Sequence, residues 1–320
     1  MTQLPCVRVA PRIGKQTVGS MMNTKSCHLV SFASSDMIKS LKRLEKQALA
    51  FNFFESLHMY TEEDLDPAFR KKYSGFMKKK TRGYGFWLWK PTVILQALGK
   101  IQEGHDLLYI DAGCHLNIKG KSRLEDYFQS LQLSPSGVLA FQNKVPVAPL
   151  NHDGRRLPDL PDRHWIKGDL LDYFGVRNNA EIIDTQTIGA GILLVKKIPK
   201  AVQFLQSWEG HMRNNLHLLD NSPSNSTDLS GFREHRHDQA FFSVMAKNEK
   251  IPTVSACEYW YPKVNSWSPD WDALANFPIH AKRDKDFDFF SKLRLKLQKL
   301  WKKLTKPRSI PQLLARLHKF

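Results

Sequence analysis

The sequence predicts an α/β fold in which a sheet is wrapped by helices, and three observations predict it. Apolar strand-like runs alternate with segments of helical period, as a doubly wound sheet requires. The run HDLLYIDAG ends on a carboxylate, the usual form of a strand delivering a side chain to a sheet edge. A chain of 320 residues with 42% hydrophobic content is also long enough to bury one large core.

Residues 1–27 are polar, basic and without period, and read as a loose arm. HLVSFASSD (28–36) reads as a buried strand entering a polar loop, and MIKSLKRLEKQALAF then repeats its apolar positions at helical spacing. FNFFESLHMY suggests a second strand, and TEEDLDPAFRKKYSGFMKKK a polar connection holding a short helix. PTVILQALGKIQ opens with proline, which a first helical turn accepts because its N–H would be unpaired there anyway. VLAFQN and AEIIDTQTIGAGILLVKK carry strand signals, while prolines at 146, 149, 158 and 161 make 143–165 a long loop. IPKAVQFLQSWEGHMRNN reads as a helix, NSPSNSTDLSG (221–231) as a turn-rich loop expected to be mobile, and FREHRHDQAFFSVMAKNEKIP as a helix with a polar, His-rich opening.

Several classes are disfavoured by composition. No apolar run reaches the length of a signal peptide core or of a membrane span, so the chain is expected in the cytoplasm. Cys6, Cys27, Cys114 and Cys257 stand far apart without a C-x-x-C pair, which indicates free thiols rather than a disulfide framework or a zinc knuckle. The net charge of +17 is concentrated: residues 282–320 hold 13 Lys/Arg against 3 Asp. That distribution favours a surface-attachment tail over a nucleic-acid-binding core. Within the tail, 284–320, Phe290, Leu293, Leu297, Leu300, Trp301 and Leu304 fall at helical spacing, and Lys292, Lys296, Lys299, Lys302 and Lys303 fill much of the remaining surface. This is the pattern of a basic amphipathic helix, suited to an anionic membrane surface or to docking on its own domain or a partner.

Four stretches can carry chemistry. Asp111 ends an apolar strand at the edge where open α/β sheets bind ligands, and a carboxylate there commonly holds Mg²⁺ or Mn²⁺; it equally serves to cap a turn. In KTRGYGFWLWKP (80–91), Arg82 and Lys90 can neutralise phosphate, while Trp87 and Trp89 offer flat faces to a base or sugar ring. The same aromatic cluster is also what a core corner looks like. If the segment is extended, Phe86, Leu88 and Lys90 share one face and Trp87 and Trp89 the other. HRHDQ places His235, His237, Asp238 and Gln239 after a turn, fitting either a helix cap or an acid/base and acceptor-binding cluster. FPIHAKRDKD ends the globular region with His280, Lys282 and Arg283, which can meet a diphosphate or its metal, or simply begin the solvated tail.

RGYGFWLWKP, YIDAGC, GAGILLVKK and HRHDQAFFSVMAK, in that order over roughly residues 28–283, resemble bacterial glycosyltransferases with the GT-A-like, nucleotide-diphospho-sugar transferase fold of polysaccharide and lipopolysaccharide assembly. The resemblance implies a Rossmann-type mixed sheet flanked by helices, with Asp111 standing where such folds carry a D-x-D motif for metal and sugar-nucleotide diphosphate. It implies that RGYGFWLWKP lies beside the donor and HRHDQ near the acceptor. Only one acid of the D-x-D pattern is present, so a second metal ligand is sought in His280, or Arg82, Lys90 and Lys282 stabilise the leaving diphosphate as cations. An inverting enzyme also needs a carboxylate to take the acceptor proton, and Asp238 is the candidate. The expected partners are a nucleotide-sugar donor, a saccharide or lipid-linked acceptor and the inner face of the cytoplasmic membrane, with no nucleic acid. Two rivals remain: a non-catalytic membrane- or polyanion-binding protein, and a phosphotransferase of the haloacid-dehalogenase type, which DAGCH disfavours because it lacks a second Asp.

Overall fold

The structure is a computed structural model that describes residues 26–146, 150 and 155–284. Residues 1–25 of the expected 1–27 arm and 285–320 of the expected 284–320 tail lie outside the described residues, and Cys27 already begins the first strand. Six strands form one mixed sheet in the order β2-β1-β3-β6-β5-β7. They are β1 (Cys27–Phe32), β2 (Ser56–Tyr60), β3 (Asp106–Ile110), β5 (Val138–Gln142), β6 (Ile188–Lys196) and β7 (Thr253–Ser255). β1 runs parallel to both β2 and β3, β6 runs antiparallel to β3 and β5, and β7 is parallel to β5. A two-stranded ladder pairs β4 (His115–Leu116) with β8 (Ile279–His280). The expected mixed α/β architecture, a sheet flanked by helices, is the one observed.

Alternation along the strands divides the core in two. Leu107 and Tyr109 of β3 enter one hydrophobic cluster, and Leu108 and Ile110 enter the other. The first is closed by α3 (Lys90–Leu98), α6 (Pro199–Asn214) and α7 (His237–Asn248), through Val93, Ile94, Leu205, Trp208, Phe241 and Phe242. The second is closed by α1 (Ile38–Phe51) and α4 (Lys121–Gln132), through Leu44, Phe51, Leu124 and Phe128. Each of these side chains, removed from water, contributes about 1.5–3 kcal/mol. The short helix α2 (Pro67–Tyr73) starts where sequence chemistry says it should: the Asp66 carboxylate accepts from the Phe69 N–H at 2.8 Å, and Pro67 sits in the first turn. A further short helix, α5 (Gly168–Tyr173), packs Leu170 and Leu171 into the first cluster.

Four local expectations are corrected. Phe51 belongs to the end of α1 rather than to a strand, and Asn52 takes the left-handed conformation that stops the helix (φ 45°). Ala180–Ile183 forms a helical turn ahead of β6. Residues 232–236 stay outside α7, which begins at His237. The 221–231 loop is tied down: Asp169 accepts the N–H groups of Asn225 (2.9 Å) and Ser226 (2.8 Å), and Asp228 accepts that of Gly168 (2.7 Å).

Candidate functional site

Asp111 follows β3 at the carboxyl edge of the parallel strands, its side chain 38% exposed. Its backbone N–H donates to the Gly191 carbonyl at 2.9 Å, which pins the residue to β6. At this level the β5–β6 ladder slips: Leu139 faces Leu194, but Phe141 faces Gly189. Such irregularities turn side chains toward a site. A Cβ on Gly191 would stand 2.8 Å from Asp111 Oδ2, so the glycine is what leaves the carboxylate its place.

The other carboxylate oxygen is held. Tyr109 OH donates to Asp111 Oδ1 at 2.6 Å, and Lys90 Nζ lies 3.4 Å from the same atom. Lys90 is only 2% exposed and makes its closer ion pair with Asp238 Oδ2, at 2.6 Å. Burial opposes the lysine's charge, but the attraction of Asp111 and Asp238 outweighs it, so Lys90 stays protonated with its pKa raised. Asp238, 4% exposed, is pushed up to about 6: burial raises it, Lys90 lowers it, and Asp111 raises it again. A buried cation therefore couples an exposed carboxylate to a buried one.

Lys90 reaches this position through an unusual backbone. Gly83, Tyr84, Gly85, Phe86 and Trp87 all have positive φ (60°, 52°, 87°, 52° and 60°). Three of the five carry side chains, and each such residue costs on the order of 1 kcal/mol, a strain that clusters at ligand sites. The extended alternation anticipated for this stretch is thus overturned, because two glycines let the chain coil left-handed before α3 begins. Trp89 is buried, stacked on Phe32 with centroids 4.0 Å apart, and its Nε1–H donates to the Gly83 carbonyl at 3.0 Å. It packs the core and, in this arrangement, offers no face to a ligand. Trp87 is partly buried, with Lys90 5.8 Å and Arg82 6.0 Å from its ring and His237 stacked obliquely at 5.9 Å.

The remaining expected residues are divided. His237 opens α7 at φ 50°, and its Nδ1 donates to the Leu219 carbonyl at 2.8 Å. Burial holds it neutral, lowered to about 4, and lowers buried His235 as well. Gln239 donates to Thr187 Oγ1 at 3.2 Å. His280 is buried, its Nε2 donating to the Leu274 carbonyl at 2.9 Å, opposite His115 in the β4–β8 ladder. Lys282 is exposed above the Trp271 ring, 5.4 Å from its centroid. The structure thus brings together Asp111, Lys90 and Asp238, and sets Arg82, Trp87 and His237 beside them.

Sequence reasoning missed three residues here. Tyr109 and Gly191 had weak signals, a tyrosine two places before the strand-end acid and a G-A-G inside a strand. Arg236 had none. Its guanidinium stacks over Trp165 at 4.1 Å and pairs with Glu234 at 3.1 Å, and Glu234 also meets Arg82 at 3.4 Å. Burial lowers the Arg236 pKa, Glu234 raises it, and the charges of Arg283 and Arg82 lower it. Arg283 also approaches Asp111's turn, its backbone 3.3 Å from where a Cβ of Gly113 would stand.

No family model and no curated protein matches the chain. Solved structures do match, at a distance. A glycosyltransferase involved in glycosylation of the major capsid of PBCV-1 is 12% identical, with 79% of this chain and 91% of that one covered and a TM-score of 0.42. Mouse xyloside xylosyltransferase 1, in its apo form, is 10% identical over 79% and 96% of the two chains, TM-score 0.41. The galactosyltransferase LgtC, in complex with donor and acceptor sugar analogs, is 12% identical over 88% and 98%, TM-score 0.41. At these identities and TM-scores the likeness assigns no activity and no residue role to this chain.

The chemistry the arrangement permits follows from its charges. A carboxylate with one oxygen clamped and the other over a glycine presents a fixed anionic ligand, while the Arg82 and Arg236 guanidiniums, which share Glu234, can pair with anionic oxygens. A molecule carrying both phosphate oxygens and hydroxyls satisfies the two together.

Proposed function

We propose that the chain is a nucleotide-sugar-dependent glycosyltransferase of the GT-A-like kind, transferring a sugar to a glycan or lipid-linked saccharide in cell-surface polysaccharide synthesis. The observation that carries this reading is the half-exposed Asp111 at the carboxyl edge of β3, clamped by Tyr109 and Lys90. Arg82, Arg236 and Arg283 bind the donor diphosphate and compensate the charge that grows on it as the glycosidic bond breaks. Trp87 borders the donor and Gln239 the acceptor, while His237, buried with its Nδ1 on the Leu219 carbonyl, packs against Trp87.

Asp111 Oδ2 suits a single-oxygen ligand for Mg²⁺ or Mn²⁺, ions that are commonly held by one or two carboxylates plus substrate phosphates. Bound there, such an ion would supply further charge compensation to the leaving diphosphate. The late histidine sought as a second ligand, His280, has its Nε2 committed to Leu274. Asp238, proposed from the sequence as the acceptor base, is 5% exposed on its side chain and bound to Lys90. We therefore assign it the positioning of Lys90 rather than contact with the acceptor. The basic tail is proposed to hold the enzyme at an anionic membrane surface.

The test is a thermal-shift panel of UDP- and GDP-sugars with and without Mn²⁺, followed by donor hydrolysis and transfer assays. At least one donor is expected to stabilise the chain and to be turned over. Asp111→Asn is expected to lose about 100-fold or more in turnover while unfolding at nearly the wild-type temperature, as when a group acting on transition-state charge is removed. Undiminished turnover by that variant removes the assignment, and no response to any donor favours the non-catalytic binder.

A further inference from the structure

A second ligand set lies at the opposite edge of the sheet. β1 runs parallel to β2 and β3, with His28 paired to Ser56 on one side and to Leu107 on the other. Glu55 and His105 immediately precede those two strands, so the register brings the three side chains together where the parallel strands begin. β3 spans five residues, which at ~3.3 Å per residue puts this edge roughly 17 Å from Asp111.

Three atoms define the geometry. His28 Nε2 lies 2.9 Å from His105 Nδ1 and 3.7 Å from Glu55 Oε2, and His105 Nδ1 lies 3.9 Å from the same oxygen. The centre of the circle through a triangle with those sides is about 2.1 Å from every corner, the length of zinc–nitrogen and zinc–carboxylate bonds. His28 is held from behind: Ser56 Oγ lies 2.7 Å from its Nδ1 and 3.0 Å from His58 Nε2. A hydrogen bond from Nδ1–H leaves the Nε2 lone pair facing the other two ligands, the outer-shell arrangement typical of a metal-bound histidine. The two ring nitrogens are within hydrogen-bonding distance, with the rings 16° from parallel and their centroids 5.2 Å apart, so one of them carries a proton toward the other that a bound ion would replace. Among the described residues this is the one group of three or more such side chains with its ligand atoms so close together.

We propose that His28, Glu55 and His105 form a binding site for a zinc-class divalent transition metal that staples the starts of β1, β2 and β3. Two imidazoles and one carboxylate suit a borderline metal rather than Mg²⁺ or Ca²⁺, which prefer oxygen throughout. Glu55 is 45% and His105 19% exposed on their side chains, which leaves a fourth position open to water.

The experiment titrates the dialysed full-length chain with Zn²⁺ against a chromophoric chelator, and with Co²⁺ to read coordination from its visible absorption. The expected result is a site of one ion per chain, with tetrahedral-type Co²⁺ bands and a rise in unfolding temperature on adding Zn²⁺. Glu55→Gln, at an exposed position, should weaken the site by about tenfold or more and abolish the thermal shift. His105→Ala should do the same, with circular dichroism confirming its fold. Absence of binding at micromolar Zn²⁺, or unchanged affinity in folded Glu55→Gln, overturns the proposal.

Discussion

Lys90 sets the charge balance of the candidate site, since a single buried ammonium faces two carboxylates of unequal exposure. Removing it as Lys90→Met leaves Asp238 without a counter-charge and should cost ~3–5 kcal/mol of unfolding free energy at pH 8. The cost should shrink near pH 5, where Asp238 can take a proton, and Lys90→Met/Asp238→Asn should cost less than Lys90→Met alone. The pH dependence has a definite sign. Asp238 titrates near 6 in the fold against an ordinary carboxylate value of about 4, so its contribution is present below pH ~4 and lost as pH rises through ~6. Asp106, also pushed up to about 6 by burial, acts the same way. His28 and His237, lowered to about 4, act oppositely, their contribution being lost as pH falls through that value. These terms offset in the wild type, so the informative quantity is the difference from Asp238→Asn. From pH 4 to 6 that variant should gain on wild type, by at most ~1.4 kcal/mol per pH unit. Chemical denaturation at four pH values measures it, and parallel curves would refute the coupling. None of this pairing was legible in the sequence, because Lys90 and Asp238 are distant in the chain and read separately, one as a phosphate-neutralising cation and the other as a helix cap or acid/base residue.

The element that delivers Lys90 is the left-handed run from Gly83 to Trp87. Gly85 sits at φ 87°, and a Cβ there would meet Met77 Cγ at 2.8 Å and Met77 Cα at 3.0 Å. Gly85→Ala should therefore destabilise by about 2 kcal/mol or more, through strain and overpacking together, and should weaken donor binding by displacing Trp87 and Lys90. A variant as stable as wild type would show that the run relaxes freely. The left-handed run in RGYGFW was not legible, since Tyr84, Phe86 and Trp87 disfavour positive φ and enter it only because tertiary packing fixes it. The regular elements were easier to read. α3, α6 and α7 follow from apolar spacing, and β3 from DLLYI stopping at Asp111. The β5–β6 slip, and with it the role of Gly191, depends on register, which no single strand's sequence encodes.

Across the whole molecule, the alternation of strands and helices gave the α/β class, whereas the antiparallel β6 and the meeting of His28, Glu55 and His105 depend on which strands become neighbours. Charge is the other property of the whole chain, and it is uneven. Residues 282–320 contribute a net +10 of the +17. No helix among the described residues is long and apolar enough to cross a membrane. If the tail meets an anionic leaflet as proposed, each basic side chain near it is worth about 1 kcal/mol, and the apolar positions from Phe290 to Leu304 would add burial at the interface. A transferase acting on a lipid-linked acceptor would gain by this, since membrane attachment concentrates enzyme and acceptor on one surface. The full chain should therefore co-sediment with vesicles containing anionic lipid, release progressively as salt shortens the screening length, and ignore neutral vesicles. A chain ending at residue 286 should stay in the supernatant while keeping donor-induced thermal stabilisation. Equal sedimentation of the two chains would show that the surface contact belongs elsewhere, and loss of donor response in the shorter chain would make the tail part of the catalytic domain.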